Sequence, residues 1–197
     1  MNIKEEIINT IKYFQRYIGE ILSNYQINNA ICDFYDFNKN KFREYGNCLG
    51  HISSALNYRQ YMLCYLLFYH DKESKSIPKL INQIKDNRVV ADKELDKQLK
   101  NIALKINSEL NSFSLDIENL KEYRYDIYAH WNTKVFNESW QEQFIKDHPI
   151  NYSNLLLLCQ KCFEHFSNIL VIIGDEPFDK SLTKDFEINH FIDKLKK

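Results

Sequence analysis

The sequence predicts an all-α protein, a bundle of about four long helices with shorter ones attached. Three observations carry that prediction. Residues that make tight turns are scarce, with 4 Gly and 3 Pro in 197 residues, which disfavours a sheet built from many hairpins. Apolar residues recur at steps of three and four through most of the chain. No stretch sustains the two-residue alternation of a strand, and there is no internal repeat. The length suits one domain with a real core, and residues 1–197 read as a single domain.

Taken in order, Ile3, Ile7, Ile11, Phe14, Ile18, Ile21 and Tyr25 form one stripe and predict a helix over 3–25. Glu5 and Glu6 fall in its first turn, where the helix dipole favours acid. Asn24, Asn28 and Asn29 read as its stop, and 30–45 is ambiguous, with Asn38-Lys39-Asn40-Lys41 reading as a solvated turn. A second long helix is expected over 47–70, with Leu49, Ile52, Leu56, Arg59, Leu63, Leu66 and His70 near one face. Ser76 reads as an N-cap, followed by Pro78 in the first turn of a short helix through Ile84.

Residues 92–113 carry another stripe: Leu95, Leu99, Ile102, Ile106, Leu110 and Phe113. Ser112 or Ser114 is expected to cap the helix after it. Phe136, Trp140 and Phe144 predict a short helix ended by His148-Pro149. Residues 153–173 form the most apolar helix, with Ser153 as the expected cap and Gly174 at the C′ position. A last helix is expected over 183–195.

The formal net charge of -1 argues against a broad basic face for polyanions, though a small phosphate site needs only one or two cations. Five cysteines, Cys32, Cys48, Cys64, Cys159 and Cys162, are scattered through helical patterns. That fits reduced thiols in a cytosolic protein. The N-terminus has no basic segment followed by an apolar run, so no signal peptide is expected. The apolar window at 155–173 is broken by Gln160, Lys161, Glu164 and His165, which reads as a core helix and not a membrane span. Cys159, Cys162 and His165 share that helix without a second pair to complete a zinc site, so no metal is expected there. No Gly-rich phosphate loop or nucleophile elbow is present, and no cofactor is expected.

One stretch concentrates chemistry: Tyr123-Arg124-Tyr125-Asp126-Ile127-Tyr128-Ala129-His130-Trp131-Asn132. At α-helical spacing Ile117, Leu120, Arg124, Ile127 and Trp131 fall on one apolar stripe, with a guanidinium at its centre. Asp126 and His130 stand four apart and can touch. A solvated ion-pair network on an ordinary helix is the plainer reading of that spacing. Tyr123, Tyr125 and Tyr128 could stack on bases or pack at an interface.

Arg124 and His130 resemble the Arg-x(4–6)-His motif of HEPN domains. The local string Arg124…Ala129-His130-Trp131-Asn132 is similar to that of the abortive-infection AbiU-like branch. Arg59–Leu63, the polar turn after His70 and Ser76-Ile77-Pro78-Lys79-Leu80 resemble a second stretch of that branch. The resemblance implies an all-α domain, a symmetric homodimer and a metal-independent RNA endonuclease serving as toxin or antiviral effector. It implies Arg124 and His130 as catalytic residues, with a cognate antitoxin or nucleotidyltransferase as a partner. Asp126 would support His130, and Tyr123, Tyr125 and Asn132 are candidate substrate contacts. Tyr125 stands where the family often has a polar residue, which leaves open a non-catalytic module that binds nucleotide, RNA or a partner protein. Asn132, two places after His130, departs from the variant whose tyrosine there is modified by a nucleotidyltransferase.

Overall fold

The structure is a computed structural model and describes residues 2–37, 39–69, 75–129 and 138–177. Seven α-helices and one π-helical segment make up the described residues, with no strand among them: α1 (Ile3–Phe37), α2 (Lys39–Phe68), α3 (Ile77–Asp86), α4 (Lys93–Ser112), α5 (Ser114–Glu122), the π segment (Tyr123–Ala129), α6 (Glu138–Asp147) and α7 (Tyr152–Ile173). The all-α prediction holds.

The core is built from the stripes legible in the sequence. Ile7, Ile11, Phe14, Ile18 and Ile21 of α1 are fully buried. They meet α7, where Phe14 and Phe166 stack with ring centroids 6.0 Å apart. α4 closes on α7 through Leu99, Ala103 and Ile106, and α3 adds Ile77, Leu80, Ile81 and Ile84. Each such aliphatic side chain contributes about 1.5–3 kcal/mol when fully removed from water.

The two long helices depart most from expectation. α1 does not stop near Asn24 but continues to Phe37. Asn24 and Asn28 are buried, and Asn28 Nδ2 donates to Asn57 Oδ1 of α2 at 2.6 Å. These asparagines are used between helices, where tertiary packing overrides their weak helix propensity. Beyond them Ala30, Ile31 and Phe34 of α1 and Leu49 of α2 form a second, smaller core cluster. α2 starts at Lys39, so residues 39–41 of the expected turn are helical, and Asn38 lies outside the described residues.

Within α2 the expected stripe is also redrawn. Leu49 and Leu63 are buried, but Ile52 is 43% exposed. Arg59 is exposed, and its Nε donates to Glu20 Oε1 at 2.6 Å. From Leu63 to Phe68 the helix is buried on nearly every side, and α2 as a whole is packed by α1, α3, α5 and the π segment. His70 and the helix expected over 183–195 lie outside the described residues.

The caps differ from expectation in three places. Ser76 occupies the N-cap position of α3, but its hydroxyl makes no capping bond. The α4–α5 junction bends at Phe113 without a side-chain cap, and Ser112 Oγ donates back to the Ser108 carbonyl. α7 is capped by Asn151, whose Oδ1 accepts from Asn154 N–H, and not by Ser153. Its C-terminus closes as expected on Gly174, at φ 77°, a conformation that favours glycine. α7 is long and apolar enough to cross a bilayer by length and composition, and half of that window is buried inside the bundle.

Candidate functional site

α5 is anchored before it reaches the chemistry-bearing stretch. Ile117 and Leu120 face the core. On its other buried side, Asp116 accepts from the Asn151 backbone N–H at 2.7 Å and from Asn154 Nδ2 at 2.9 Å. Asn119 Nδ2 donates to the Pro149 carbonyl at 2.6 Å. The two polar side chains therefore clasp the loop between α6 and α7 and the first turn of α7. No local pattern announced this clasp, because the partners of Asp116 lie 35 and 38 residues away.

Past Glu122 the helix widens to π geometry over the seven residues Tyr123–Ala129. Nothing in the residue pattern announced this. Single π turns inside α-helices are uncommon and recur at functional sites. The widening explains why the predicted apolar stripe does not run straight through Arg124. Tyr123, three residues after Leu120, takes the inward place and is 8% exposed. Arg124 stands at the edge, half-buried, and not at the centre of a sealed seam.

Aromatic side chains set the position of this turn. Tyr123 packs against Tyr61 of α2 at 5.5 Å and edge-on against Phe144 of α6 at 5.2 Å. Phe144 in turn stacks on Trp140 at 5.0 Å, and Tyr61 meets Tyr152 of α7 at 5.9 Å. Contacts of this kind contribute about 0.5–1.5 kcal/mol each beyond the area they bury. Burial raises the pKa of the Tyr123 and Tyr61 hydroxyls, so both stay neutral at physiological pH.

The Arg124 guanidinium carbon lies 5.1 Å from the Tyr65 ring centroid and 5.2 Å from that of Tyr125. Both are within cation–π range. Tyr65 is buried and stacks on Tyr69 at 5.0 Å, whereas Tyr125 is 41% exposed. Among the described residues no carboxylate forms an ion pair with Arg124, and Asp126, also half-buried, forms none with it. A cation held against rings keeps its full charge, so the group can still meet an anion with its N–H fork. Tyr65 was missed as part of the site, although Tyr61, Tyr65 and Tyr69 repeat at four-residue steps and so mark one face of α2.

The structure brings together Tyr123, Arg124, Tyr125 and Asp126 on one turn. Tyr123 is spent on packing, which leaves Tyr125 as the exposed ring beside the cation. His130 and Asn132 lie outside the described residues.

The Cys159, Cys162 and His165 spacing resolves into core packing for its two thiols, both fully buried. A hydrogen bond with Cys64 together with burial pushes the Cys159 thiol up, and burial pushes up Cys162. Burial lowers the half-buried His165. Among the described residues no three His, Cys, Asp or Glu side chains gather as a metal-holding group. Compared with known proteins, the chain matches no family model, no curated protein and no solved structure.

Proposed function

We propose that this chain is a metal-independent RNA endonuclease of HEPN type, a cytosolic toxin or antiviral effector that acts as a homodimer. The observation that supports this most is Arg124: a guanidinium on a π turn, held by Tyr65 and Tyr125 and without a carboxylate partner among the described residues. A phosphodiester is the anion such a fork suits. In this reading Arg124 stabilises charge building on the phosphorus centre. His130 takes the proton of a ribose 2′-hydroxyl or gives one to the leaving oxygen, work that suits an imidazole near neutral pH. Asp126 stands four residues before His130 and orients it.

Dimerisation follows from the same chemistry. Two-fold symmetry brings a patch against its own copy, so one cleft receives two motifs and two imidazoles. Among the described side chains, Leu115 of α5, Tyr125 of the π turn and Ile145 of α6 are exposed and apolar, and such a contact would cover them. The neutralising partner in this reading is an antitoxin or a nucleotidyltransferase.

The test is cleavage of RNA by the purified chain in excess EDTA. Wild type should cut, and His130→Ala should lose about 10²–10⁴ in rate, the usual worth of a general acid or base. Arg124→Ala should lose about 10²–10³ in rate, with only the small fall in melting temperature expected from losing two cation–π contacts. Undiminished cleavage in either variant rejects that residue's role.

A second reading has one observation in its favour, the exposed Tyr125 ring beside Arg124 in place of a polar residue. An aromatic and a cation together suit stacking and phosphate contact without chemistry. That reading, a non-catalytic HEPN-like module holding nucleotide, RNA or a partner protein, expects saturable RNA binding weakened by Tyr125→Ala and no cleavage in any buffer.

A further inference from the structure

The Arg124 guanidinium has two rings against it, and they are held in different ways. Tyr125 is the next residue on the same π turn and is 41% exposed, so it travels with the cation. Tyr65 belongs to α2 and is 3% exposed. Its ring lies nearly parallel to that of Tyr69, at an interplanar angle of 16°. Its chain neighbours Leu63, Cys64, Leu67 and Phe68 are buried as well. The bundle core therefore fixes Tyr65 independently of the turn that carries Arg124. One helical turn earlier, Tyr61 meets Tyr123 at 5.5 Å, so α2 grips the π turn at two successive levels.

We propose that Tyr65 is a positioning residue, whose ring face fixes where the Arg124 N–H fork points and so aims that fork at the phosphate of an RNA strand. The inference rests on the nuclease reading of Arg124 and His130. An arginine side chain is long and flexible, and holding it in one geometry costs entropy. Its fork stabilises charge at phosphorus only if it is already aimed there when the charge develops. A leucine at position 65 would fill much of the same volume, but it would desolvate the cation and return nothing. The electron-rich face of an aromatic ring attracts the cation and leaves N–H donors for an anion. Because Tyr65 is buried, it acts through Arg124 and not on the RNA itself.

The test is steady-state RNA cleavage in excess EDTA by the full chain carrying Tyr65→Phe, Tyr65→Leu, or phenylalanines with one and with three ring fluorines at position 65. Fluorine withdraws charge from the ring face while changing its size little, so a merely structural role would not follow the series. Tyr65→Phe should keep kcat within about twofold of wild type, since it retains the ring. The kcat should fall stepwise with added fluorine and about tenfold in Tyr65→Leu, with KM little changed. In an Arg124→Ala background Tyr65→Leu should cost little more, because the group it serves is gone. The fluorine series decides the question even where Tyr65→Leu fails to fold. A kcat indifferent to fluorine, or an equal loss from Tyr65→Leu in both backgrounds, would overturn the proposal and leave the nuclease reading in place. Wild type that cuts no RNA would reject that reading and this proposal with it.

Discussion

Arg124 was visible in the sequence as a cation out of place on an apolar stripe. What the sequence could not give is how the group is tolerated. Helical spacing put it in a seam that needs an anion, whereas in the structure two tyrosine rings receive it at the edge of the bundle. Tyr65 comes from a helix 59 residues earlier in the chain, and the four-residue spacing of Tyr61, Tyr65 and Tyr69 marks a face of that helix without naming what the face meets. A second single-residue feature was equally hidden. Asp96, legible only as an acid near a helix start, is buried and accepts from Val89 N–H at 2.8 Å. It also pairs with Lys100 at 3.1 Å. Burial alone would raise the Asp96 carboxyl, but the bonds from Val89, Lys100 and Val90 outweigh it and hold it below its ordinary value. A carboxyl depressed in the folded state adds stability above its unfolded pKa, about 3.9, and that stability is lost as pH falls through the folded value. Asp96→Asn should therefore be less stable than wild type at pH 7 by about 1–3 kcal/mol in urea unfolding. The gap should narrow as pH drops below about 4.

At the scale of elements, the existence of each described α-helix followed from apolar spacing, and the failures were at ends, at junctions and in the π segment. Asparagines that read as a stop proved to be interhelical partners, so α1 runs twelve residues past its predicted end at Tyr25. Serines that read as caps gave way to Asn151 for α7 and to an uncapped bend at Phe113. The π turn had no signal at all, because its cause is packing: Tyr123 must fill the gap between Tyr61 and Phe144. The clasp that fixes α5 makes a prediction at this scale. Asp116→Ala strands two donors, the Asn151 N–H and Asn154 Nδ2. It should destabilise the fold by about 1–3 kcal/mol in urea unfolding. If the clasp also positions the Arg124 turn, RNA cleavage by the folded fraction should fall with it.

For the whole molecule, two stripes that the sequence displayed plainly, on α1 and α7, form the centre of the core, and the remaining helices close around them. The hairpin of α1 and α2 carries its own small cluster beyond that core. Function was less legible than fold because it rests on a short motif, and a motif of two residues acquires meaning only from the turn that carries it. The central claim is that Arg124 and His130 cleave RNA by way of the 2′-hydroxyl, without a metal. The most direct measurement compares two oligonucleotides of one sequence, one all-ribose and one with 2′-deoxyribose at every position, incubated with the wild-type chain in excess EDTA. Cleavage of the ribose strand to ends bearing a 2′,3′-cyclic phosphate, with the deoxyribose strand intact, is the predicted result; cleavage of both strands, or of neither, would contradict it.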